Sequence, residues 1–148
     1  MLLASLTLKN NLMSVSDLIK NKLYERAKTV MEKAYAPYSK FKVGAAILDE
    51  NGKYHVGCNI ENAAYPIGNC AEASAISAMI ASNGNRIIAI SVTGFGDLLC
   101  TPCGGCRQRI REFASLNVPI IVGNEKKIKK IFTLKELLPY SFGPENLV

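Results

Sequence analysis

Two short cysteine-containing motifs constrain this chain more than any other feature of its sequence. The first contains Cys70, followed two residues later by Glu72, and the second contains Cys103 and Cys106. Three cysteine thiolates can occupy three positions of a tetrahedral zinc site. An unligated glutamate beside the open fourth position can accept a proton from a metal-activated water. The fold must therefore bring both motifs to one point.

Both motifs lie where the sequence predicts that a helix begins. The alanine-rich stretch 71–81 is predicted to be helical and to stop at Asn83-Gly84, and a second helix is predicted over 104–114. A helix N-terminus carries roughly half a positive charge, which stabilises thiolates. Positions i and i+2 do not share a face of a regular helix. Cys70 must therefore lie just before the first helical residue if it and Glu72 are to face one ion.

The remaining elements predict an α/β fold, a three-layer α/β/α sandwich with a mixed five-stranded sheet. Strand, helix and strand in succession imply a parallel pair, so we expect a sheet that starts with an antiparallel hairpin and continues parallel. The predicted elements are a helix from a capping box at Ser14 to about Tyr35, strands 41–48 and 54–59 joined at Asn51-Gly52, strands 86–93, 118–123 and 128–132, and a short helix capped by Thr133 with Glu136.

Length and cysteine content predict one domain in a reducing compartment. The chain has 148 residues, 49% of them hydrophobic, which is enough for one core. We expect residues 1–13 to be a disordered extension, or an artefact of a start at Met13, and 14–148 to form a single domain. Five cysteines, three of them clustered at 100, 103 and 106, favour a metal site over disulfides and hence the cytoplasm. No apolar run approaches the roughly 20 residues of a membrane span.

Several residues have other interpretations. The net charge of +6 and the lysines within 126–130 could attract phosphates, but no aromatic residues interleave with them, so nucleic acid is not the expected partner. A C-x-x-C pair alone also fits a redox site. Cys100 could add a fourth thiolate and make the site purely structural. We expect Cys58 to be a buried strand thiol and His55 to be an exposed strand residue.

The two motifs together match the zinc-deaminase signature H-x-E…P-C-x-x-C, with Cys70 in the histidine position. From about Asp17 onward the chain resembles the small three-cysteine cytidine deaminases of pyrimidine salvage. The resemblance implies hydrolytic deamination of cytidine and 2′-deoxycytidine, in which an activated water attacks C4 while Glu72 moves protons to the ring nitrogen and then to the departing amine. Further matching segments are 38–46, 57–66, 106–108 and 141–145.

The resemblance also implies roles for residues outside the zinc motif. Asn59 and Glu61 match positions that hold the sugar hydroxyls, and Phe41 matches an aromatic residue that packs on the base. Phe142 matches an aromatic residue that enters a neighbouring subunit's pocket, and Tyr65 would also serve a homotetramer with shared sites. Core packing of Phe41 and tail anchoring by Phe142 are the alternatives.

Ala73 departs from the family pattern, which has an arginine directly after the glutamate to donate hydrogen bonds to the thiolates. Three thiolates outweigh Zn²⁺ by one negative charge, so the loss of this cation is expected to weaken zinc as a Lewis acid. Arg107 and Arg109 are candidates to replace it. We expect activity to survive with a changed pH profile.

Two other functions use the same residues. A related deaminase would act on cytosine in a polynucleotide or on an aminopyrimidine antibiotic such as blasticidin, although Asn59 and Glu61 favour a free sugar. A structural zinc module or a catalytically silent nucleoside binder would hold the metal without turnover. The presence of Glu72 argues against a structural or catalytically silent zinc site.

Overall fold

A computed structural model describes residues 15–147 of the chain, so the predicted extension 1–13 lies outside the described residues. Two 3₁₀ turns, Tyr65–Ile67 and Pro144–Leu147, accompany the regular elements. The helices and strands are, in chain order, helix α1 (Asp17–Met31), strands β1 (Val43–Asp49) and β2 (Tyr54–Cys58), helix α2 (Ala71–Ala81), strand β3 (Ile87–Gly94), helix α3 (Gly104–Phe113), strands β4 (Pro119–Gly123) and β5 (Ile128–Thr133), and helix α4 (Leu134–Leu137).

The five strands form one mixed sheet in the order β2-β1-β3-β4-β5, which confirms the predicted sheet. Strand β1 is antiparallel to both β2 and β3, and β3 and β4 form the predicted parallel pair around α3. The expectation that the sheet continues parallel after the hairpin is right only for this pair, since β3 is antiparallel to β1 and β5 is antiparallel to β4. The link 124–127 is a short turn, whereas a parallel pair needs a crossover of a dozen or more residues.

Helices cover both faces of the sheet, as the predicted three-layer sandwich requires. Ile90 and Val92 of β3 pack in one core with residues of α2 and α3, such as Ile110. Ala89, on the opposite face of β3, packs in the second core with Leu23 of α1. Alternate residues of a strand point to opposite faces, so β3 contributes to both cores. Within residues 15–147, no helix has the length and apolar character that crossing a membrane requires.

Helix α1 is shorter than its sequence pattern predicts. Its N-cap is Ser16, whose Oγ accepts a hydrogen bond from the amide of Ile19, and not Ser14, which lies outside the described residues. The helix ends at Met31 because Tyr35 leaves it to pair with the segment after β2. The Tyr35 amide donates to the Asn59 carbonyl at 3.0 Å, and the Tyr35 carbonyl accepts from the Glu61 amide at 2.8 Å. This pairing brings the segment after α1 beside the residues that follow β2.

A glycine in β2 allows α2 to pack directly on the sheet. A Cβ at Gly57 would overlap the backbone of Ala71 and Ala75, in the first turns of α2. No other residue type fits at position 57 without moving that helix. The close approach fixes the N-terminal end of α2, where Cys70 lies.

His55 is buried, which corrects the prediction of an exposed strand residue. Strand β2 lies at the edge of the sheet, but the face that carries His55 and Gly57 is covered by α2. The His55 Nε2 lies 2.8 Å from Asp49 Oδ2, and Asp49 Oδ1 accepts hydrogen bonds from the amides of Asn51 and Lys53 at 2.9 and 2.8 Å. Asp49 therefore ties the β1–β2 hairpin together.

Asp49→Asn is expected to lower the free energy of unfolding by about 1–3 kcal/mol at neutral pH, because both carboxylate oxygens of Asp49 take part in hydrogen bonds and asparagine replaces one of them with an NH₂ donor. Burial alone would raise the pKa of Asp49, but the hydrogen bonds from His55, Lys53 and Asn51 outweigh it and hold the pKa below its ordinary value of 3.8. A carboxyl with a lowered pKa stabilises the fold above its unfolded-state pKa, and this contribution is lost as the pH falls through its folded-state pKa.

Urea denaturation of the parent and the variant at neutral and acidic pH measures this effect. Asp97→Asn, whose side chain is 84% exposed and lies outside the helices, serves as the matched control and should change stability little. A difference between Asp49→Asn and the parent that stays constant into strong acid would contradict the assignment.

Candidate active site

The structure brings the three predicted cysteines together. The Sγ atoms of Cys70, Cys103 and Cys106 all lie within 4.8 Å of one another. Cys70 is the N-cap of α2 with extended backbone angles, φ −75° and ψ 156°, which confirms that it lies just before the first helical residue. Cys103 is the N-cap of α3, and Cys106 lies in the first turn of the same helix. Neither N-cap thiol caps its own helix, so both are free to face the cluster.

This donor set fits zinc. Thiolate sulfurs about 2.3 Å from a tetrahedral zinc ion lie about 3.8 Å from one another. The three Sγ atoms, all within 4.8 Å of one another, would need to move only a short distance closer together to reach this spacing. Two helix N-termini point at the cluster and favour negative charge there. Soft thiolate ligands select zinc over harder ions such as magnesium.

The three thiols share protons unequally. Burial raises the pKa of Cys70 and of Cys106. Burial also acts on Cys103, but hydrogen bonds from the Cys106 amide and from the thiols of Cys106 and Cys70 outweigh it and lower the Cys103 pKa. Full ionisation of the set needs a cation, and metal binding releases the remaining protons.

Glu72 lies beside the cysteines with only 4% of its surface exposed. Burial raises its pKa, while its own backbone amide, the Cys106 thiol and the charge of Arg109 act in the opposite direction. A raised pKa makes a carboxyl group a stronger base, so it holds a proton more readily once it has accepted one. Burial at this position also keeps bulk water away from that proton.

The other two cysteines lie outside this cluster. The Sγ of Cys100 is not among the described ligand atoms that converge, and burial together with the charges of Glu72, Cys103 and Cys70 raises its pKa to about 11. Its position, and not its pKa, separates it from the cluster, so the described geometry gives no support to a fourth thiolate. Cys58 is half-buried rather than fully buried, because it is the last residue of β2.

A cleft of about 520 Å³ opens beside Cys70. The predicted substrate residues Asn59, Glu61 and Tyr65 line it, whereas Phe41 and Phe142 are not part of its lining. Its other lining residues are Tyr38, Ser39, Ile60, Asn62, Gly68 and Asn69. A groove of about 570 Å³ along α1 contains none of the predicted site residues.

Asn59 and Glu61 also hold the segment that follows α1, a role that sequence reasoning missed. Glu61 Oε1 accepts hydrogen bonds from the amides of Tyr38 and Ser39 at 2.9 and 3.1 Å, and Oε2 accepts from the Ser39 hydroxyl. The Ser39 hydroxyl is the main reason that the pKa of Glu61 lies below its ordinary value. Asn59 accepts from the Val43 amide at 2.8 Å and donates to the Phe41 carbonyl at 2.9 Å.

Three predicted aromatic residues remain largely exposed. Phe41 is 42% exposed, which argues against a purely core role, and a Cβ at Gly94 would lie 3.3 Å from its ring. Tyr65 is 75% exposed, with its ring centroid 5.8 Å from that of Tyr38. Phe142 is 57% exposed, and its carbonyl accepts a hydrogen bond from Gln108 of α3 at 3.0 Å. The backbone at Phe142 is therefore anchored while its ring faces outward.

Arg107, one of the two candidates to replace the missing arginine, is occupied elsewhere. Its guanidinium donates to the carbonyls of Pro102 and Leu137, both at 2.7 Å, and to the Thr101 hydroxyl at 3.1 Å. These bonds tie the loop before Cys103 to the end of α4. Arg107 thus stabilises the loop before Cys103 by joining it to α4.

Comparisons with known proteins agree with this geometry. Residues 19–122 match the family described as the cytidine and deoxycytidylate deaminase zinc-binding region. The chain is 41% identical over 126 residues to the cytidine deaminase of Sporosarcina psychrophila, a match that covers 85% of this chain and 93% of the relative. It is 37% identical over 115 residues to the cytidine deaminase of Mycobacterium tuberculosis, covering 77% and 82% of the two chains.

Solved structures show the same arrangement of strands and helices. The crystal structure of cytidine deaminase from Burkholderia pseudomallei superimposes with a TM-score of 0.78 and 40% identity, covering 82% of this chain and 98% of the other. That of the Mycobacterium tuberculosis enzyme superimposes with a TM-score of 0.75 and 34% identity, covering 86% and 98%. The predicted fold is thereby confirmed.

Proposed function

The chain belongs to the cytidine and deoxycytidylate deaminase family, and on that premise we propose that it is a zinc-dependent cytidine deaminase. The proposed reaction converts cytidine and 2′-deoxycytidine, with water, to uridine and 2′-deoxyuridine and ammonia. The observation that carries this proposal is the convergence of Cys70, Cys103 and Cys106 beside the buried Glu72, next to an open cleft.

The three cysteines would hold the metal. When bound, zinc supplies a Lewis acid that makes water nucleophilic near neutral pH. Both helix N-termini stabilise the thiolates that hold it. Arg107 keeps the second cysteine motif in place through its bonds to Pro102 and Thr101.

Glu72 would carry the protons of the reaction. Its carboxylate takes a proton from the attacking water and gives it to the ring nitrogen of cytosine. It then passes the second proton to the departing amine, which leaves as ammonia. Burial raises the pKa of Glu72, which favours its acceptance of a proton from water.

The cleft would bind the nucleoside. Asn59 and Glu61, two residues apart on an extended segment, point the same way and are proposed to hold the sugar hydroxyls. Because Asn59 and Glu61 also bind the backbone at Phe41 and Ser39, sugar binding would be coupled to the position of the Phe41 ring. That ring is proposed to pack on the base.

We also propose a homotetramer with shared sites, located in the cytoplasm. The rings of Tyr65 and Phe142 are exposed in the single chain, and the tail that carries Phe142 is held against α3 by Gln108 and Arg111. An anchored backbone with an outward ring is suited to insertion into a neighbouring subunit. Sedimentation equilibrium is expected to give four times the 16.1 kDa chain mass, and Phe142→Ala is expected to weaken turnover. A monomer with full activity would contradict the proposal.

The proposed function is tested by following the ultraviolet absorbance of cytidine, 2′-deoxycytidine, free cytosine and a single-stranded oligonucleotide with zinc-loaded protein. We expect turnover of the two nucleosides only. Equal turnover of free cytosine would remove the sugar-binding role of Asn59 and Glu61. Activity on the oligonucleotide alone, or bound zinc without any turnover, would overturn the proposed function.

A further inference from the structure

The cysteine cluster concentrates more negative charge than one metal ion balances. Three thiolates outweigh a divalent cation by one negative charge, and an ionised Glu72 adds another. Position 73, directly after Glu72, is an uncharged alanine. A further cation close to the cluster would stabilise the ionised ligands.

Arg109 of α3 is an exposed cation beside the turn that carries two of the three cysteines. It follows Cys106 by three residues, so the two lie on the same face of the helix, and helical side chains tilt toward the N-terminus. The Cβ position of Gly105 lies 3.2 Å from Arg109 Nη1. The guanidinium therefore lies against the turn that joins Cys103 to Cys106.

The other two arginines of α3 have different partners. Arg107 binds the carbonyls of Pro102 and Leu137, and Arg111 binds the Ser141 hydroxyl and pairs with Glu145. Within residues 15–147, the side chain of Arg109 makes no hydrogen bond or ion pair, unlike those of Arg107 and Arg111. Its guanidinium is thus available to the cluster.

We propose that Arg109 is a positioning residue whose charge balances the thiolates of Cys103 and Cys106 and the carboxylate of Glu72. This inference rests on the proposed function, since it assumes that the cysteines hold zinc. Arg109 acts through the ligands and does not itself contact the substrate.

The two helix starts offer a direct test of this charge role. Position 73 follows Cys70 by three residues on α2, just as Arg109 follows Cys106 on α3. An arginine at position 73 would also point back toward the cluster. Ala73→Arg in an Arg109→Ala background therefore returns the charge from the other helix.

The experiment compares Arg109→Ala, Arg109→Lys and the double variant Ala73→Arg/Arg109→Ala with the parent. Arg86→Ala, an exposed arginine outside the site, is the matched control. Zinc affinity is measured by competition with the chelator 4-(2-pyridylazo)resorcinol, and kcat and KM are measured with cytidine. Loss of a residue that supports metal ligands typically costs about 10- to 100-fold in affinity or activity.

We expect Arg109→Ala to weaken zinc binding and to lower kcat, each by about tenfold, with KM nearly unchanged. Arg109→Lys and the double variant should recover most of both losses. An Arg109→Ala variant that matches Arg86→Ala in zinc affinity and kcat would overturn the inference, as would a loss that neither lysine nor the second arginine restores. If the parent binds zinc but does not deaminate cytidine, the proposed function fails while the chelator measurement still decides the role of Arg109.

Discussion

Glu72→Gln is expected to lower kcat for cytidine by at least about 100-fold while zinc stays bound, since positioned proton transfer contributes typically 10²- to 10⁴-fold. Glutamine keeps the size of the side chain, so the buried position beside Cys106 stays filled. What it loses is the ability to accept a proton from water and to return it to the base. Steady-state kinetics and metal analysis on the same sample measure both quantities.

Glu112→Gln, an exposed position on α3, is the matched control and should leave kcat and zinc content unchanged. If Glu72→Gln retained more than about a tenth of the parent kcat, a general acid–base role for Glu72 would be excluded, because even a weak role is worth more. If it lost zinc together with activity, Glu72 would have to be counted among the metal-supporting residues.

The places of the three cysteines at helix starts could be predicted from sequence because local rules decide them. A cysteine and a glutamate two residues apart can face one point only if the helix begins between them, and α2 does begin at Ala71. The capping box at Thr133 and Glu136 is likewise local and is confirmed. Rules of this kind need no knowledge of what packs elsewhere in the chain.

Features that depend on distant partners escaped the same reasoning. His55 is buried because α2 covers one face of an edge strand, and Glu61 binds the backbone of Tyr38 and Ser39, more than twenty residues earlier. Helix α1 stops early because the carbonyl of Asn59 accepts a hydrogen bond from Tyr35. In each case a residue far along the chain offers a better partner than the local pattern does, and a single sequence does not reveal it.

Cys103→Ser is expected to remove zinc and with it all measurable deamination. Serine is a good N-cap residue, so α3 should still begin at Gly104, and Cys103 is exposed, so its replacement leaves no cavity. A neutral hydroxyl is a far weaker zinc ligand than a thiolate. Losing it should weaken zinc binding by more than about 100-fold, since even groups outside the ligand set are worth 10- to 100-fold. Chelator competition measures the loss, and circular dichroism checks that the fold is retained.

Cys100→Ser separates the catalytic from the structural interpretation of the site. Its chemistry is the same as that of Cys103→Ser and it lies only three residues away, but its Sγ is not among the converging ligand atoms. We expect it to keep zinc and nearly all activity, because the three converging thiols of Cys70, Cys103 and Cys106 do not include it. Zinc loss in Cys100→Ser would make Cys100 a fourth ligand. A site closed by four thiolates has no open position for water, so that outcome would favour a structural zinc module over an enzyme.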